Sequence, residues 1–129
     1  MWDENMVEIE SRYQRGLQKM REMTGETGEE AILPLDDLGK YIIEFAFGDI
    51  LSRSGLTLRD REIVIITALT VLGREAQLKV HFPAAMKVGL SVAELEEIII
   101  QTSPYAGFPT AINALQVLRN KSLIVSTED

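Results

Sequence analysis

Residues 63–72 read IVIITALTVL and carry no charge anywhere along them, in a chain where 26% of side chains are charged. The stretch is well short of the roughly 20 residues a spanning helix needs. Its β-branched start, Ile63 to Ile66, suits a buried strand, but the apolar pattern runs on through Leu69 and Leu72 to Gly73 without a turn signal. That length favours a helix. A helix apolar nearly all round must be buried, and in a chain of 129 residues part of that burial falls to other subunits.

The flanking sequence predicts further helices and no strand. Met6, Ile9, Tyr13, Leu17 and Met20 recur three or four apart, which predicts an amphipathic helix from Trp2 to Met23 with Gly25 as its stop. Glycine and acid then mark a break over residues 25–30, and Pro34 interrupts the next segment. A second helix starts near Asp36 and carries Leu38, Ile42, Phe45 and Ile50 at helical spacing until Ser52 to Gly55 end it. Thr57 caps the central helix, and Asp60 in its first turn suits the helix dipole. A fourth helix covers about residues 75–88 and stops at Gly89. Ser91 and Glu94 then have the spacing of a capping box. Residues 102–109 hold two prolines and a glycine and predict a turn, with Pro109 in the first turn of a last helix through Leu118. The fold class is therefore all-α, a single domain of about six helices spanning 1–129, with no repeat or linker to divide it.

Charge and composition exclude several functions. The net charge is −7 and no basic run interleaves with aromatics, so nucleic acid is not the expected partner. With no membrane span and no opening signal segment, the expected address is cytoplasmic. The absence of cysteine rules out disulfides, thiolate metal sites and thiol peroxidase chemistry. Residues 53–87 nonetheless hold Arg53, Arg59, Arg61, Arg74, Lys79 and Lys87 against Asp60, Glu62 and Glu75, a segment of +3 in a remainder of −10. This is either a chance cluster of solvated charges or a positive site for a small anion.

His81 is the only histidine, and imidazole is the side chain that exchanges a proton near neutral pH. It stands three residues from Leu78 and four from Ala85, on or beside the inward stripe of its helix. It reads either as a core histidine with a backbone partner or as a reactive group. A metal site is not expected, because one histidine without cysteine leaves only carboxylates to complete a shell. Glu62 is the second anomaly, since the stripe Ile65, Ile66, Leu69, Leu72 runs back onto it. It is either a first-turn carboxylate that still reaches water or a group that orients His81 and exchanges a proton with it. Arg74 and Gln77 share a helix face with His81, at the mouth of any cavity it faces, though both also read as ordinary surface residues. Tyr105 and Phe108 are held close by the proline-rich turn.

Taken in order, Phe45-Ala46-Phe47-Gly48-Asp49 with Ser52-Arg53, then Leu56 and Arg61-Glu62, Gln77-Leu78-Lys79-Val80-His81, Gly89, Glu94, and Tyr105-Ala106-Gly107-Phe108-Pro109 with Ala111, Asn113 and Ala114 resemble the carboxymuconolactone decarboxylase family, which shares its helical fold with the alkylhydroperoxidase D proteins. The resemblance spans residues 13–118. Redox-active relatives carry a C-x-x-C pair ahead of the histidine. Here those places are Arg74 and Gln77, while the relay glutamate falls on Glu62. The resemblance thus implies a decarboxylase without the redox pair and without a cofactor, acting on 4-carboxymuconolactone or a related small anionic lactone in aromatic catabolism. His81 and Glu62 would be catalytic; Arg53, Arg74, Gln77 and Tyr105 would bind substrate. It also implies a homo-oligomer, trimer or hexamer, with the hexamer favoured. An isomerase or lactone hydrolase using the same proton-transfer pair, or a binding protein descended from the redox branch, are the alternatives.

Overall fold

A computed structural model describes residues 4–120, with side chains from Arg12 onward. The described residues are helical, without a strand: α1 (Glu4–Ile32), a 3₁₀ turn (Leu33–Leu35), α2 (Asp37–Tyr41) running into a π-helix (Ile42–Ile50), α3 (Leu58–Leu72), α4 (Glu75–Lys87), α5 (Val92–Ala106) and α6 (Phe108–Leu118). None of these helices is long and apolar enough to cross a membrane. The chain divides between Thr57 and Leu58 into two compact units.

In the first unit α1 packs along the π-helix. Two glycines allow the backbones to meet: a Cβ on Gly16 would lie 1.9 Å from the carbonyl oxygen of Ile43, and one on Gly48 would lie 2.6 Å from that of Arg12. Beside this crossing Arg12 grips Asp49 through two bonds, Nε to Oδ1 at 3.0 Å and Nη2 to Oδ2 at 2.7 Å. Arg15 Nε donates to the Gly48 carbonyl at 2.7 Å, next to the same carboxylate. The hydrogen bonds from Arg12, joined by the charges of both arginines, hold the Asp49 carboxyl below its ordinary range.

Two expectations for this unit are corrected. Gly25 does not stop α1 but kinks it, with φ 60° and ψ −144°, and the helix resumes to Ile32. Thr24 Oγ1 donates to the Met20 carbonyl at 2.6 Å in the turn before the kink. The segment beyond holds Glu26, Glu29, Glu30 and Ala31, good helix formers. The expected buried stripe of the next helix also fails, because Leu38, Phe45 and Ile50 are exposed. Gly39, Ile43, Glu44, Phe47 and Gly48 face inward instead. A π-helix takes more residues per turn than the 3.6 assumed, and only the glycine-bearing side can approach α1 closely. Of the expected first-helix stripe, Met20 is buried and Tyr13 and Leu17 are partly so; Trp2 lies outside the described residues and Met6 and Ile9 outside the described side chains.

The second unit is built from α3 to α6. Helix α3 packs on α4, α5 and α6, and α6 packs on α4 and α5. Ile66, Leu78, Phe82, Ala85, Leu95, Ile99, Ala114 and Leu118 form its core. The stripe expected for α4, Leu78, Phe82 and Ala85, is buried as read. Helix α5 opens with the expected capping box: Ser91 Oγ accepts from the Glu94 amide at 3.0 Å, and Glu94 Oε1 accepts from the Ser91 amide at 3.0 Å. That backbone bond, with Arg59 paired to the other oxygen, holds Glu94 below the ordinary carboxylate range.

The turn expected over residues 102–109 is a correction. Helix α5 runs through Pro104 to Ala106, and only Gly107, at φ 93°, separates it from α6. Proline cannot donate to the carbonyl four residues back, which here is that of Ile100. Ser103 Oγ donates to that carbonyl at 2.7 Å, so the helix tolerates the proline. Pro109 lies in the first turn of α6, as its missing donor predicted.

Candidate active site

Helix α3 presents Glu62, Ile66 and Thr70 inward, one turn apart each time. Glu62 is the deepest of the chain's described carboxylates, with no exposed surface. Helix α4 lies against it and brings His81 opposite, with Nδ1 3.1 Å from Glu62 Oε1. The His81 side chain keeps 20% of its surface exposed while that of Glu62 keeps none. The two sequence anomalies therefore share one cause: each occupies an apolar place in its helix because the other is there to meet it.

This contact fixes the chemistry of the ring. Nδ1 faces the carboxylate, so a proton on it is held by Glu62, and Nε2 is the nitrogen left to meet anything outside. Glu62 Oε2 is buried and has no hydrogen-bond partner. All the neutralisation that carboxylate receives from a named hydrogen bond thus comes through His81. A pair arranged in this way can carry a proton on Nε2 and balance the resulting charge with a carboxylate that water does not reach.

The remaining sequence candidates are dispersed. Gln77 is exposed on α4 four residues before His81, one turn away on the same side. Arg74, also exposed, precedes α4 as its cap residue and lies two turns from His81, about 10 Å along the axis. Tyr105 is 85% exposed, and it lines a groove between α3 and α5 whose walls include neither His81 nor Glu62. Arg53 is exposed and belongs to the first unit. The structure therefore brings together His81 and Glu62, with Gln77 one turn away on the same helix as His81.

Two features had no clear sequence signal. Thr70 continues the buried stripe of Glu62 and has a hydroxyl without a hydrogen-bond partner, where the sequence pattern pointed to Leu69 and Leu72. Glu44 is a second buried carboxylate, on the π-helix of the first unit, where a 3.6-residue period misplaces the inward face.

The site thus sets one histidine against a buried glutamate, in a chain without cysteine. The model of the carboxymuconolactone decarboxylase family matches residues 36–120. The chain is 36% identical over 113 residues to a protein of Acinetobacter baylyi named 4-carboxymuconolactone decarboxylase, covering 84% of each chain. It is also 32% identical over 81 residues to an uncharacterized 15.0 kDa protein of Paracoccus denitrificans, covering 61% of this chain and 60% of that one. The chain belongs to the carboxymuconolactone decarboxylase family.

Proposed function

We propose that this protein is a decarboxylase of 4-carboxymuconolactone or a closely related small anionic lactone in aromatic catabolism, working without a cofactor. The observation that carries the reading is the 3.1 Å contact between His81 Nδ1 and the buried Glu62, which leaves Nε2 outward. The named relative from Acinetobacter supports the choice of substrate.

The chemistry needs little more. As carbon dioxide leaves the γ-carbon, the electrons of the breaking carbon–carbon bond pass through the ring alkene onto the lactone carbonyl. The substrate is its own electron sink. The extended enolate must then be stabilised as it forms and protonated at the carbon next to that carbonyl. Protonated His81 donates from Nε2, Glu62 holds the imidazolium before transfer, and solvent returns one proton per turnover. Gln77 donates its side-chain amide to the developing oxyanion from one turn away. Arg74, two turns from His81 on the same side of the second unit, neutralises a substrate carboxylate. The active particle is a cytoplasmic homo-oligomer, trimer or hexamer, with the hexamer favoured, which accounts for the uncharged face of α3.

Carbon dioxide release from 4-carboxymuconolactone by the purified protein, compared with His81→Asn, tests the reading. A drop of about 100-fold or more in the variant is expected. Equal release by both, or none by a folded wild-type protein, overturns it. A second reading, isomerisation or hydrolysis by the same pair, is favoured if His81-dependent turnover occurs on a lactone panel without gas release.

A further inference from the structure

We infer a further activity of the same pair, resting on the decarboxylase reading for its substrate: it exchanges with solvent the hydrogen that lies between the alkene and the carbonyl of a β,γ-unsaturated lactone. No carbon dioxide is lost and the lactone is returned unchanged apart from that hydrogen. Glu62 comes from α3 and His81 from α4, and both helices belong to the second unit, so the pair is assembled inside one body. His81 Nδ1 lies 3.1 Å from Glu62 Oε1, and neither side chain makes another hydrogen bond among the described residues. The His81 side chain keeps 20% of its surface exposed and that of Glu62 none, so protons pass to and from solvent through the ring and not through the carboxylate.

The single contact decides what the pair becomes once Nε2 has handed its proton to carbon. It then holds an ionised carboxylate and one ring proton. With that proton on Nε2, Nδ1 would turn a lone pair toward Glu62 Oε1, and the buried carboxylate would be left without any donor. The proton therefore sits on Nδ1 and donates to Glu62, which leaves a lone pair on Nε2. The spent acid is already a general base, aimed at the carbon it has just protonated. Nε2 takes a proton back from that carbon, and the electrons of the broken C–H bond pass to the lactone carbonyl as the extended enolate re-forms. Glu62 balances the imidazolium through Nδ1. The proton on Nε2 exchanges with solvent, and a solvent-derived proton returns to the same carbon as the enolate electrons rebuild the C–H bond. One C–H bond breaks and one forms, with no oxidant, reductant or co-reactant. The departing carboxylate of decarboxylation takes no part, so a lactone that never carried one is also a substrate.

Proton NMR in deuterium oxide tests this on two lactones, α-angelica lactone and the lactone that decarboxylation of 4-carboxymuconolactone yields. The first is neutral and has no carboxylate to lose, but it carries the required CH₂ between alkene and carbonyl. Wild type should speed the loss of that CH₂ signal over protein-free buffer for both lactones. His81→Asn should lose about 100-fold or more of the acceleration. Glu62→Gln still accepts from Nδ1–H but cannot balance the imidazolium, so it should slow the exchange as well, and circular dichroism reports whether each variant folds. A fixed Nε2 reaches one face of the flat ring, so the protein should label one hydrogen of the CH₂ and leave the other to the slower reaction in buffer. Exchange at the buffer rate, by a wild type that releases carbon dioxide from 4-carboxymuconolactone, overturns the inference and leaves the decarboxylase reading standing. Acceleration retained by folded His81→Asn and Glu62→Gln, or equal labelling of both hydrogens, also overturns it. His81-dependent exchange by a protein that releases no carbon dioxide overturns the decarboxylase reading and supports this activity.

Discussion

His81 Nδ1 lies 3.1 Å from Glu62 Oε1, and the other oxygen of the same carboxylate is buried with no partner. One bond therefore carries the whole orientation of the imidazole by the glutamate. Glu62→Gln separates orientation from charge, because the amide oxygen can still accept from Nδ1–H but cannot balance an imidazolium. The variant should fold and lose about 100-fold or more in kcat, with a much smaller change in KM. Steady-state decarboxylation kinetics check this, and equal losses in binding and turnover would show that Glu62 shapes the pocket and does not support the proton donor.

Thr70 makes the opposite prediction. Its hydroxyl is fully buried and unpaired on the same stripe of α3, a place where a methyl group would lose nothing. Thr70→Val keeps the shape and removes the unsatisfied group, so the protein should gain about 1 kcal/mol of stability. The urea midpoint of unfolding should rise with the slope unchanged. A fall would mean that the hydroxyl has a partner, such as an internal water.

The reach of the sequence differed between helices, for physical reasons. On α4 the 3.6-residue period placed Leu78, Phe82 and Ala85 inward and His81 beside them, because an α-helix against a core keeps that period. Glu62 was legible for the same reason, as a carboxylate where the stripe asked for an apolar residue. The first unit was less legible. Leu38 and Phe45 obey the helical period and yet face outward, since Gly39 and Gly48 decide which side can be buried. Gly25 and Pro104 are signals to stop in a local reading, but good helix formers resume α1 beyond Gly25, and the Ser103 hydroxyl occupies the carbonyl that Pro104 cannot serve. The parts played by Arg53 and Arg74 were not legible at all, because exposed arginines serve surface pairs and anion sites alike.

The glycine crossing in the first unit gives a test with an internal control. At Gly16 an added methyl would lie 1.9 Å from the Ile43 carbonyl oxygen, which is backbone and cannot swing away. Gly16→Ala should cost about 3 kcal/mol or force α1 off the π-helix. Gly55 has open space around its Cβ position, so Gly55→Ala should be neutral or stabilising by about 0.5 kcal/mol. Thermal unfolding of the two variants side by side measures the difference. Similar melting temperatures would mean that the two helices do not approach this closely in solution.

Acid should weaken each unit through a different carboxylate. Asp49 is held below its ordinary range by the hydrogen bonds of Arg12, and Glu94 by the backbone amide of Ser91 with Arg59 alongside. A folded-state pKa below the unfolded one means that the unfolded chain takes up protons first as the pH falls. The stabilisation is therefore complete above the ordinary carboxylate range, near pH 4–5, and is lost as the pH drops through the lower folded values. Both groups lie near solvent, so each contribution is modest and weakened by salt. Asp49→Asn should lower stability at pH 7 and flatten the acid limb of the profile. Glu94→Gln should do the same while also loosening the start of α5, because the backbone amide of Ser91 then meets a neutral acceptor. Urea unfolding at a series of pH values from 7 to 3 gives the profiles. An acid limb of unchanged steepness in both variants would show that these carboxylates titrate alike in the folded and unfolded chain, and that other groups set the acid sensitivity.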